Sequence, residues 1–561
     1  MSENKLLEVD NLTIAVLKDK DSVSIVRDCS FSISKNEILG VVGESGSGKS
    51  ITALALMGLL SPKVFTITKG SISFNGRNLL SLKEKEFRAI RGKEIAMIFQ
   101  EPMSALNPTI TCGKQVAEIL EAHFPKMTSY EVKTEVLNLF SKVKLPNPLE
   151  LYSKYPHEIS GGQKQRVMIA MAIACKPLLL IADEPTTALD VTVQKDIIQL
   201  LKEIQQDTGM SILFISHDLG LVSSISDYVL VMYKGDIVEK GRSIDVFESP
   251  KEQYTRALIA SRPSMDIRLK RLPTIDNFIN HSVLNEEVTA EQRKEYHQKI
   301  YASSPLLEVK HVSKDYITKG SLFKKGFFRA LDDVSFAVYE GETLGLVGES
   351  GCGKSTLGNA ILQLDKATAG QIFYRGIDIT LLNSKELRLL RKEIQIIFQD
   401  PYSSLNPKIT VGEAIIEPMK VHRVGQNNKE RKKKVLELLH RVGLGEEAFN
   451  KYPHEFSGGQ RQRIGIARSI AMQPKLIVCD ESVSALDISV QAQVLNLLNE
   501  LKEDYKFTYI FISHDLAVVK YMSDNIIVMN KGKIEELAEA DLLYEAPQKE
   551  YTKKLIQAIP K

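Results

Sequence analysis

The sequence has little of what secreted, membrane-spanning or nucleic-acid-binding chains are rich in. Its five cysteines lie far apart, with no C-x-x-C pair and no zinc-ligand spacing, which is typical of reduced thiols in a cytosolic protein. No stretch of about 18 uninterrupted apolar residues occurs, and the N-terminus has no apolar core of signal-peptide length. The 73 basic and 70 acidic residues nearly cancel, so the whole chain shows no polyelectrolyte signature of nucleic-acid binding. We therefore expect a chain that does not span a membrane, although it can dock on one.

What the sequence does contain is one set of phosphate-handling motifs, present twice in the same order. The last three features of the first set recur 297 residues later in the second. The two sets are Gly43–Ser50, Gln100, Ser160–Gln163, Asp183–Glu184 and His217, and then Gly348–Ser355, Gln399, Ser457–Gln460, Asp480–Glu481 and His514. A chain of 561 residues exceeds one hydrophobic core and fits two domains of roughly 250 residues, one for each set.

The repeat also sets the expected domain boundaries. We predict a first domain over residues 1–262, a linker over 263–304 and a second domain over 305–561. The linker carries six basic and six acidic residues and is expected to be a flexible tether with a short exposed helix within residues 286–299. As a flexible coil, its 42 residues would have an r.m.s. span of about 35 Å.

Short apolar runs predict the strands that would carry the chemistry. The runs at residues 38–42 and 343–347 lead into the glycine-rich loops, those at 178–182 and 476–479 lead into the Asp-Glu pairs, and those at 212–216 and 509–513 lead into a histidine. Strands that deliver polar residues at their carboxyl ends build the ligand crevice of a parallel α/β sheet. The pattern therefore indicates an α/β class with both sets of motifs at sheet edges.

The glycine-rich segments Gly43–Ser50 and Gly348–Ser355 both match the pattern G-x-x-x-x-G-K-S/T. Glycines let backbone N–H groups wrap a phosphate chain, and the dipole of the following helix favours the negative charge. Lys49 and Lys354 are expected to reach the β- and γ-phosphates, and the serine after each lysine to bind Mg²⁺. Two such matches between a strand and a helix predict two nucleotide sites.

The other motifs each have a structural alternative. Asp183-Glu184 and its repeat can be solvated strand ends, but behind a phosphate loop the Asp is suited to hold magnesium and the Glu to polarise water. Ser160 with Gln163 fits an S-x-x-Q capping box, which is a sufficient structural role by itself. The two glycines between them, however, weaken a helix by up to about 1 kcal/mol each, which is explained if bare backbone must approach an anion.

This combination of motifs resembles the ATP-binding cassette family over nearly the whole chain except the linker. The resemblance implies an α/β fold with two tandem P-loop NTPase domains, each having a RecA-like α/β core and a helical subdomain. It also implies that the Ser-Gly-Gly-Gln turn of one cassette serves the ATP held by the phosphate loop of the other. Two composite ATP sites would then be formed head to tail, each with Mg²⁺.

The resemblance assigns roles residue by residue. The expected catalytic residues are Glu184, Glu481, His217, His514, Gln100 and Gln399. The expected nucleotide-binding residues are Gly43, Ser45, Gly46, Gly48, Lys49, Ser50, Gly348, Ser350, Gly351, Gly353, Lys354, Ser355, Thr356, Tyr316, Ser160, Gly162, Gln163, Ser457, Gly459, Gln460, Asp190 and Asp487. The expected magnesium ligands or sensors are Ser50, Gln100, Asp183, Ser355, Gln399 and Asp480.

A narrower resemblance comes from the segments after the two glutamines. Residues 100–108 and 399–407, each ending in Ser-x-Leu-Asn-Pro, are similar to the ATPases of peptide and nickel importers, including fused two-cassette forms. That resemblance implies two integral membrane permease subunits gripped just after Gln100 and Gln399, an extracytoplasmic solute-binding protein acting indirectly, and no nucleic acid. It places the chain peripherally on the cytoplasmic face of the membrane. An ordinary turn is the structural alternative for these segments.

One departure from the family pattern distinguishes the two halves. The position expected to stack on adenine is Tyr316 in the second half but Val16 in the first. Stacking of a base on an aromatic ring contributes about 1–3 kcal/mol, so we predict weaker adenine binding at the Lys49 site.

Two other functions were weighed against transport. A soluble tandem-cassette ATPase acting on ribosomes or DNA would be expected to have a long, strongly charged helical linker, whereas this linker is short and charge-balanced. A drug exporter would be expected to have fused membrane spans. The sequence leaves the cargo open among dipeptides, oligopeptides, glutathione, nickel and metal chelates.

Overall fold

A computed structural model describes residues 5–18, 21–100, 105–187, 189–280, 282, 286–318, 326–400, 404–484 and 486–559. The chain divides into two compact units, the first formed mainly by Met1–Ile259 and the second by Ala260–Asn277 and Ser282–Ile559. Both units contain the same series of strands and helices, and each is described by itself.

The first unit begins with two long strands and ends with two short helices. Its elements are β1 (Lys5–Lys18), β2 (Asp21–Ser34), β3 (Ile38–Gly43), α1 (Lys49–Leu56), β4 (Phe65–Phe74), β5 (Arg77–Asn78), α2 (Glu84–Ile90), β6 (Ile95–Ile98), α3 (Cys112–His123), α4 (Ser129–Lys142), α5 (Pro148–Tyr152), α6 (Gly161–Ile173), β7 (Leu179–Asp183), α7 (Val191–Thr208), β8 (Ser211–Ile215), α8 (Leu219–Ile225), β9 (Tyr228–Tyr233), β10 (Asp236–Arg242), α9 (Ser243–Glu248) and α10 (Gln253–Ala260).

A six-stranded sheet forms the centre of this unit, in the order β10-β9-β3-β8-β7-β6. All neighbouring pairs are parallel except β10 with β9. Strands β3, β7 and β8 are buried along their whole length, as expected of parallel strands covered on both faces. Because the carboxyl ends of parallel strands meet at one edge, the residues that follow β3, β6, β7 and β8 are brought together there.

A second, antiparallel sheet lies in the same unit, in the order β2-β1-β4-β5. Its buried side chains, among them Leu12, Ile14 and Phe74, share a hydrophobic core with Leu56 of α1 and with strands of the central sheet. The apolar face of this sheet therefore packs over the helix that follows the phosphate loop, and holds that helix in place.

The middle of the first unit is helical, from α3 to α6. The Thr128 hydroxyl caps α4, and the Thr128 N–H donates to the Glu131 carboxylate; Ser160 caps α6 in the same way, with its N–H donating to Gln163 Oε1. The sheet and this helical region confirm the predicted fold class of an α/β core with a helical subdomain.

From its first strand onward the second unit repeats this order of elements without a counterpart of α5, and two further helices precede that strand. Its elements are α11 (Ile275–Ile279), α12 (Ala290–Tyr301), β11 (Leu307–Thr318), β12 (Gly326–Val338), β13 (Thr343–Val347), α13 (Lys354–Ile361), β14 (Ala369–Tyr374), β15 (Ile377–Asp378), α14 (Ser384–Glu393), β16 (Ile394–Ile397), α15 (Val411–Val421), α16 (Asn428–Arg441), α17 (Gly458–Ile470), β17 (Leu476–Asp480), α18 (Ile488–Tyr505), β18 (Thr508–Ile512), α19 (Leu516–Met522), β19 (Asn525–Asn530), β20 (Lys533–Glu539), α20 (Ala540–Glu545) and α21 (Glu550–Gln557). Its sheets have the orders β16-β17-β18-β13-β19-β20 and β12-β11-β14-β15.

The segment expected to be a flexible tether is instead packed on the second unit; we call residues 263–277 and 286–304 the strap. Leu272 is 1% exposed, and its backbone exchanges two hydrogen bonds of 2.8 Å with the Asn496 side chain. Arg293 is buried and pairs with Glu539 and with Asp541, the latter through Nε at 3.1 Å. The charge balance of the segment suggested solvation, but several of its cations have carboxylate partners more than 200 residues away.

The helix expected within the strap exists with shifted bounds, since α12 covers Ala290–Tyr301 and buries Arg293 and Ile300. Within the described residues, no helix is long and apolar enough to cross a membrane.

Candidate active site

The phosphate loop of the first unit joins β3 to α1 and contains three glycines with positive φ. At Gly43, φ is 148° and a Cβ would lie 2.1 Å from the Met232 carbonyl oxygen, so any other residue would collide with β9. Gly46 has φ of 77° and open space on its Cβ side. The loop thus has the bare, outward-facing backbone that phosphate binding requires.

Lys49 lies at the start of α1 and is 6% exposed. Its Nζ donates hydrogen bonds of 2.8 Å to the carbonyl oxygens of Gly43 and Glu44, which closes the loop into a ring around the ammonium group. The second loop repeats this arrangement, with Lys354 Nζ at 2.7 Å from Gly348 O. The exposed backbone and buried cation fit the β- and γ-phosphates of a nucleotide.

Each loop is supported from the chain's later helices by a tyrosine that the sequence reasoning missed. The Tyr254 hydroxyl accepts a hydrogen bond of 3.3 Å from the Glu44 N–H, and the Tyr551 hydroxyl accepts one of 3.2 Å from the Glu349 N–H. Both tyrosines belong to the repeated Tyr-Thr-x-x-Leu segments, so the repeat itself was the available signal.

The Ser and Asp side chains expected to hold magnesium lie together in both units. Ser50 Oγ donates to Asp183 Oδ1 at 3.1 Å, and Ser355 Oγ donates to Asp480 Oδ1 at 3.2 Å. Burial raises the pKa of Asp183 to about 6, and burial also raises the pKa of Asp480. A hydroxyl and a carboxylate at this spacing are hard oxygen ligands suited to Mg²⁺.

No group of three or more His, Cys, Asp or Glu side chains in the described part of the chain is arranged to hold a metal ion alone.

Glu184 follows β7 directly and has a left-handed backbone, with φ of 48°. Its Oε2 accepts hydrogen bonds from Gln100 Nε2 at 2.8 Å and from the Thr187 hydroxyl at 2.9 Å, and lies 3.3 Å from His217 Nδ1. The structure therefore brings together three of the predicted catalytic residues on one carboxylate. Thr187 was not predicted.

The charge state of Glu184 follows from these contacts. Burial raises its pKa, but the hydrogen bond and charge of His217, the Thr187 hydroxyl and the charge of Lys49 outweigh it, so the pKa falls to about 2. The carboxylate is ionised at neutral pH, which is the state a general base needs.

In the second unit, Glu481 has the same contacts with a glutamine and a histidine but, among the described residues, lacks the hydroxyl contact that Thr187 makes with Glu184. Gln399 Nε2 donates to Glu481 Oε2 at 2.8 Å, and His514 Nδ1 lies 3.4 Å from that oxygen. Glu481 also has a left-handed φ, of 47°. Ser484, at the position of Thr187, instead donates to the Glu481 backbone carbonyl at 2.9 Å.

The histidines are held by the turns that begin the next helices. Asp218 accepts hydrogen bonds from the backbone of Gly220 and Leu221 and so caps α8, directly after His217. Asp515 does the same for α19, after His514. The cap fixes the backbone of the histidine, and thereby keeps the ring beside the glutamate.

The Ser-Gly-Gly-Gln turns form their capping boxes and lie on the surface. The Gln163 N–H donates to Ser160 Oγ at 3.3 Å, and the repeat shows the same bond between Gln460 and Ser457. A Cβ on Gly162 would lie 2.8 Å from Val193, and one on Gly459 would lie 2.3 Å from Val490. The capping role is therefore real, and within the described residues neither turn hydrogen-bonds a phosphate loop of its own unit.

Other predicted positions lie at the edges of the site. Asp190 and Asp487 are the residues before α7 and α18. Residues 101–104 and 401–403, where the permease-gripping segments were expected, and residues 188 and 485 lie outside the described residues.

The aromatic position differs between the units. Tyr316 is 37% exposed, donates to Asp365 Oδ2 at 2.6 Å and also contacts the Thr356 hydroxyl. Val16 occupies the matching place in β1, and its cross-strand partner in β4 is Phe65. The first unit therefore does have an aromatic ring beside position 16, but that ring is Phe65 on the neighbouring strand β4.

Comparison with known proteins gives two kinds of family match. The model described as "ABC transporter" matches residues 26–187 and 331–484. The model described as "Oligopeptide/dipeptide transporter, C-terminal region" matches residues 238–280.

Curated relatives match over the full chain. The glutathione import ATP-binding proteins GsiA of Escherichia coli O157:H7, Escherichia coli strain K12 and Shigella dysenteriae serotype 1 (strain Sd197) are each 44% identical over 568 residues, covering 100% of this chain and 90% of the relative.

Solved structures match one cassette at a time. The dimeric ATP-binding cassette MJ0796 bound to ADP and Pi is 33% identical and covers 42% of this chain and 98% of its own, with a TM-score of 0.38. The cassette cbiO1 from Clostridium perfringens is 26% identical and covers 44% of this chain and 92% of its own, also with a TM-score of 0.38.

Proposed function

Because this chain belongs to the ABC transporter family and is an ATPase of that family, we propose that it is the energy-coupling subunit of an importer for peptides or related small solutes such as glutathione. The observation that carries the proposal is that one chain builds a phosphate loop, a Ser–Asp pair and a Gln–Glu–His cluster twice. Full-length similarity to glutathione import proteins and the oligopeptide/dipeptide match support the substrate class.

In this function each unit would bind one ATP with Mg²⁺. Lys49 and its loop would hold the phosphates, and Ser50 with Asp183 would hold the ion, whose chemistry is to neutralise charge on the phosphate oxygens. Glu184 would take a proton from the attacking water, while Gln100 and His217 orient the carboxylate and His217 keeps it ionised. The second unit would use the matching residues, with Lys354 in the loop and Glu481 as the base.

The Ser-Gly-Gly-Gln turns are the remaining residues of the proposal. The resemblance to the family supports the expectation that Ser160 and Gly162 serve the ATP on Lys354, and that Ser457 and Gly459 serve the ATP on Lys49. Their bare backbone is consistent with contact to an anion. Replacing Gly162 and Gly459 by alanine should then lower ATP hydrolysis while leaving ATP binding at Lys49 and Lys354 intact.

The partners in this function are two integral membrane permease subunits and, indirectly, an extracytoplasmic solute-binding protein. The chain would act at the cytoplasmic face of the membrane. It would couple ATP hydrolysis to movement of the solute through the permeases.

The proposal is tested by measuring solute uptake in cells that lack the gene and by co-purification of the chain with membrane proteins. Deleting the gene should abolish uptake of labelled glutathione or labelled small peptides, and uptake of labelled nickel serves as the comparison. The tagged full-length chain should co-purify with permease subunits in mild detergent. Unchanged uptake of every one of these solutes, or co-sedimentation with ribosomes in place of permeases, would overturn the proposal.

A further inference from the structure

The last helix of each unit is attached at its first turn to the last strand of the central sheet. On β10, the Glu239 carboxylate accepts hydrogen bonds of 2.8 and 3.3 Å from the two backbone N–H groups directly before α10. On β20, Glu536 accepts bonds of 2.8 and 3.1 Å from the two N–H groups directly before α21. Such N–H groups have no partner within their own helix, so each carboxylate fixes where its helix begins.

Helix α10 brings a tyrosine to the phosphate loop of its unit. Tyr254 is the second residue of α10 and is 9% exposed. Its ring stacks on Tyr233, with the ring centroids 4.2 Å apart. Tyr233 follows Met232, whose carbonyl oxygen borders Gly43 at the start of the loop. The position of the Tyr254 hydroxyl is therefore set both by the start of the helix and by the ring stack.

The Tyr254 hydroxyl holds one particular peptide group of the loop. The N–H of the Gly43–Glu44 peptide group donates to that hydroxyl at 3.3 Å, and its carbonyl oxygen accepts from Lys49 Nζ at 2.8 Å. In the proposed function Lys49 binds the phosphates of ATP, so its ammonium group would exchange loop carbonyls for phosphate oxygens. The bond to Tyr254 does not depend on the lysine. It is therefore the contact that can keep this peptide group oriented while ATP binds.

The second unit repeats these contacts with one difference. The N–H of the Gly348–Glu349 peptide group donates to the Tyr551 hydroxyl at 3.2 Å, and its carbonyl oxygen accepts from Lys354 Nζ at 2.7 Å. Asn530 stands at the position of Tyr233 and cannot make the same ring stack. The hydroxyl contact is therefore common to both units, whereas the stack through position 233 belongs to the first.

We propose that Tyr254 and Tyr551 are positioning residues for ATP binding: each hydroxyl holds the first peptide group of its phosphate loop in the orientation that receives ATP. A glycine precedes each of these peptide bonds and lets them rotate at little steric cost, so an outside contact is needed to fix them. A loop that is already in its binding orientation loses less free energy to ordering when the ligand arrives. The inference rests on the proposed function, because it requires that the two loops bind the phosphates of ATP.

The same contacts give the end of the first unit a role in ATP binding. Glu239 and Tyr254 both lie within residues 238–280, the part of the chain that matches the C-terminal region of oligopeptide and dipeptide transporters. Because Tyr254 lies in the first turn of α10, the carboxylate that fixes the start of this helix also fixes the tyrosine. Glu239 is therefore a positioning residue that acts through Tyr254.

The first test removes only the hydroxyl. In a Lys354→Ala background of the full-length chain, which leaves the first site, Tyr254→Phe should raise the Kd for ATP about 2- to 10-fold, as expected for one ordinary hydrogen bond. The single-turnover rate of hydrolysis at saturating ATP should stay within about twofold, because the substitution affects binding and leaves Glu184 in place. Fluorescent ATP titration and single-turnover assays give the two values. Tyr551→Phe in the Lys49→Ala background is the matched test of the second site.

Another tyrosine of the first unit provides the control. Tyr228 lies at the opposite end of β9 from Tyr233 and is 47% exposed. Tyr228→Phe removes a hydroxyl from the same strand without touching the phosphate loop. It should therefore leave both the Kd for ATP and the rate of hydrolysis unchanged.

A double-mutant cycle tests whether the carboxylate acts through the tyrosine. Glu239→Ala should raise the Kd for ATP by a factor similar to that of Tyr254→Phe. The double variant should show no further loss, since two residues that act through one contact are not additive. Glu239→Gln keeps an acceptor oxygen and should restore part of the affinity. The melting temperature of each variant checks its folding.

The outcomes separate this inference from the proposed function. An unchanged Kd in Tyr254→Phe, or slower hydrolysis with an unchanged Kd, would overturn the positioning role. Additive losses in the cycle would show that Glu239 does not act through the tyrosine. None of these results bears on solute uptake, which tests the importer function. Absence of ATP binding in the parent Lys354→Ala and Lys49→Ala proteins would contradict the proposed function as well.

Discussion

The two cassettes share their catalytic geometry closely and differ in what surrounds it. Gln100 donates to Glu184 and Gln399 donates to Glu481, each at 2.8 Å, and the Ser–Asp pairs agree within 0.1 Å (3.1 against 3.2 Å). The neighbourhood differs at three places: Thr187 against Ser484, Val16 with Phe65 against Tyr316 with Asp365, and a strap that packs on the second unit. The side chains expected to bind phosphate and metal therefore have the same geometry in the two units, whereas the residues around them differ.

The strongest test of the shared geometry removes both general bases. Glu184→Gln with Glu481→Gln should lower steady-state ATP hydrolysis by about 10²- to 10⁴-fold, because a positioned base contributes an effect of that size. ATP should remain bound, which a nucleotide-retention assay measures directly. Each single variant should retain measurable turnover if both sites hydrolyse, and undiminished turnover in the double variant would refute the base assignment.

The strap gives the second test, since its hydrogen bonds through Leu272 and its ion pairs through Arg293 are made with the second unit. Leu272→Ala should lower the free energy of unfolding of the second unit by about 2–5 kcal/mol, because it removes a buried side chain. For a unit of this size the melting temperature should fall by roughly 4–20 °C. Calorimetry that resolves two transitions should show one of them moving and the other unchanged.

A control residue lies in the same segment. Ile267 is 47% exposed, so Ile267→Ala should leave both transitions within about 1 °C, given the small effects typical of surface substitutions. Equal shifts of both transitions in Leu272→Ala would show that the strap does not act on the second unit alone.

The aromatic positions provide a test of unequal nucleotide binding. In a Lys49→Ala background, which leaves the second site, Tyr316→Leu should weaken ATP binding by about 5- to 150-fold if its ring stacks on the base. In a Lys354→Ala background, Val16→Tyr should strengthen binding at the first site. Fluorescent ATP titration gives both values.

Phe65→Leu in the Lys354→Ala background tests whether Phe65 on β4 stacks on adenine at the first site, in place of an aromatic residue at position 16 on β1. We expect little change, because Phe65 packs against the hydrophobic core of its unit. A loss as large as that of Tyr316→Leu would contradict the predicted inequality of the two sites.

The smallest expected difference concerns Thr187. Thr187→Val removes one hydroxyl donor from the Glu184 carboxylate and should slow hydrolysis at the first site by about fivefold, in line with the loss of one ordinary hydrogen bond. The matched variant Ser484→Ala should leave the second site unaffected, because Ser484 donates to a backbone carbonyl. Single-turnover measurements in the Lys354→Ala and Lys49→Ala backgrounds report on the first and second sites separately. Equal slowing of hydrolysis by Thr187→Val and Ser484→Ala would contradict the predicted difference between the two hydroxyls.

Most of the catalytic cluster was predictable because its residues sit at fixed points of a repeated strand–loop–helix pattern. Asp183, Glu184 and His217 each lie at the end of an apolar run, and Lys49 ends the glycine-rich loop that follows another such run; parallel strands gather these residues at one edge. Thr187 was missed because its role depends on which way a hydroxyl points three residues after the strand, and spacing alone does not encode that direction.

The strap was mispredicted for a physical reason of another kind. Its composition is balanced in charge, which is typical of a solvated linker, and its partners Asn496, Glu539 and Asp541 lie more than 200 residues away in the sequence. Local sequence patterns indicate the periodicity and secondary-structure propensity of a segment. They do not indicate which distant side chains the segment will pair with, because that pairing depends on the fold of the second unit.

The strap also has a consequence for how the chain is made. On a ribosome adding about 5–20 residues per second, the 224 residues between Leu272 and Asn496 take roughly 10–45 s to synthesise. During that interval Met1–Ile259, which form most of the first unit, have already been synthesised, whereas Leu272 does not yet have its partner Asn496. The strap can therefore pack on the second unit only late in biogenesis, after the second unit has been synthesised and folded.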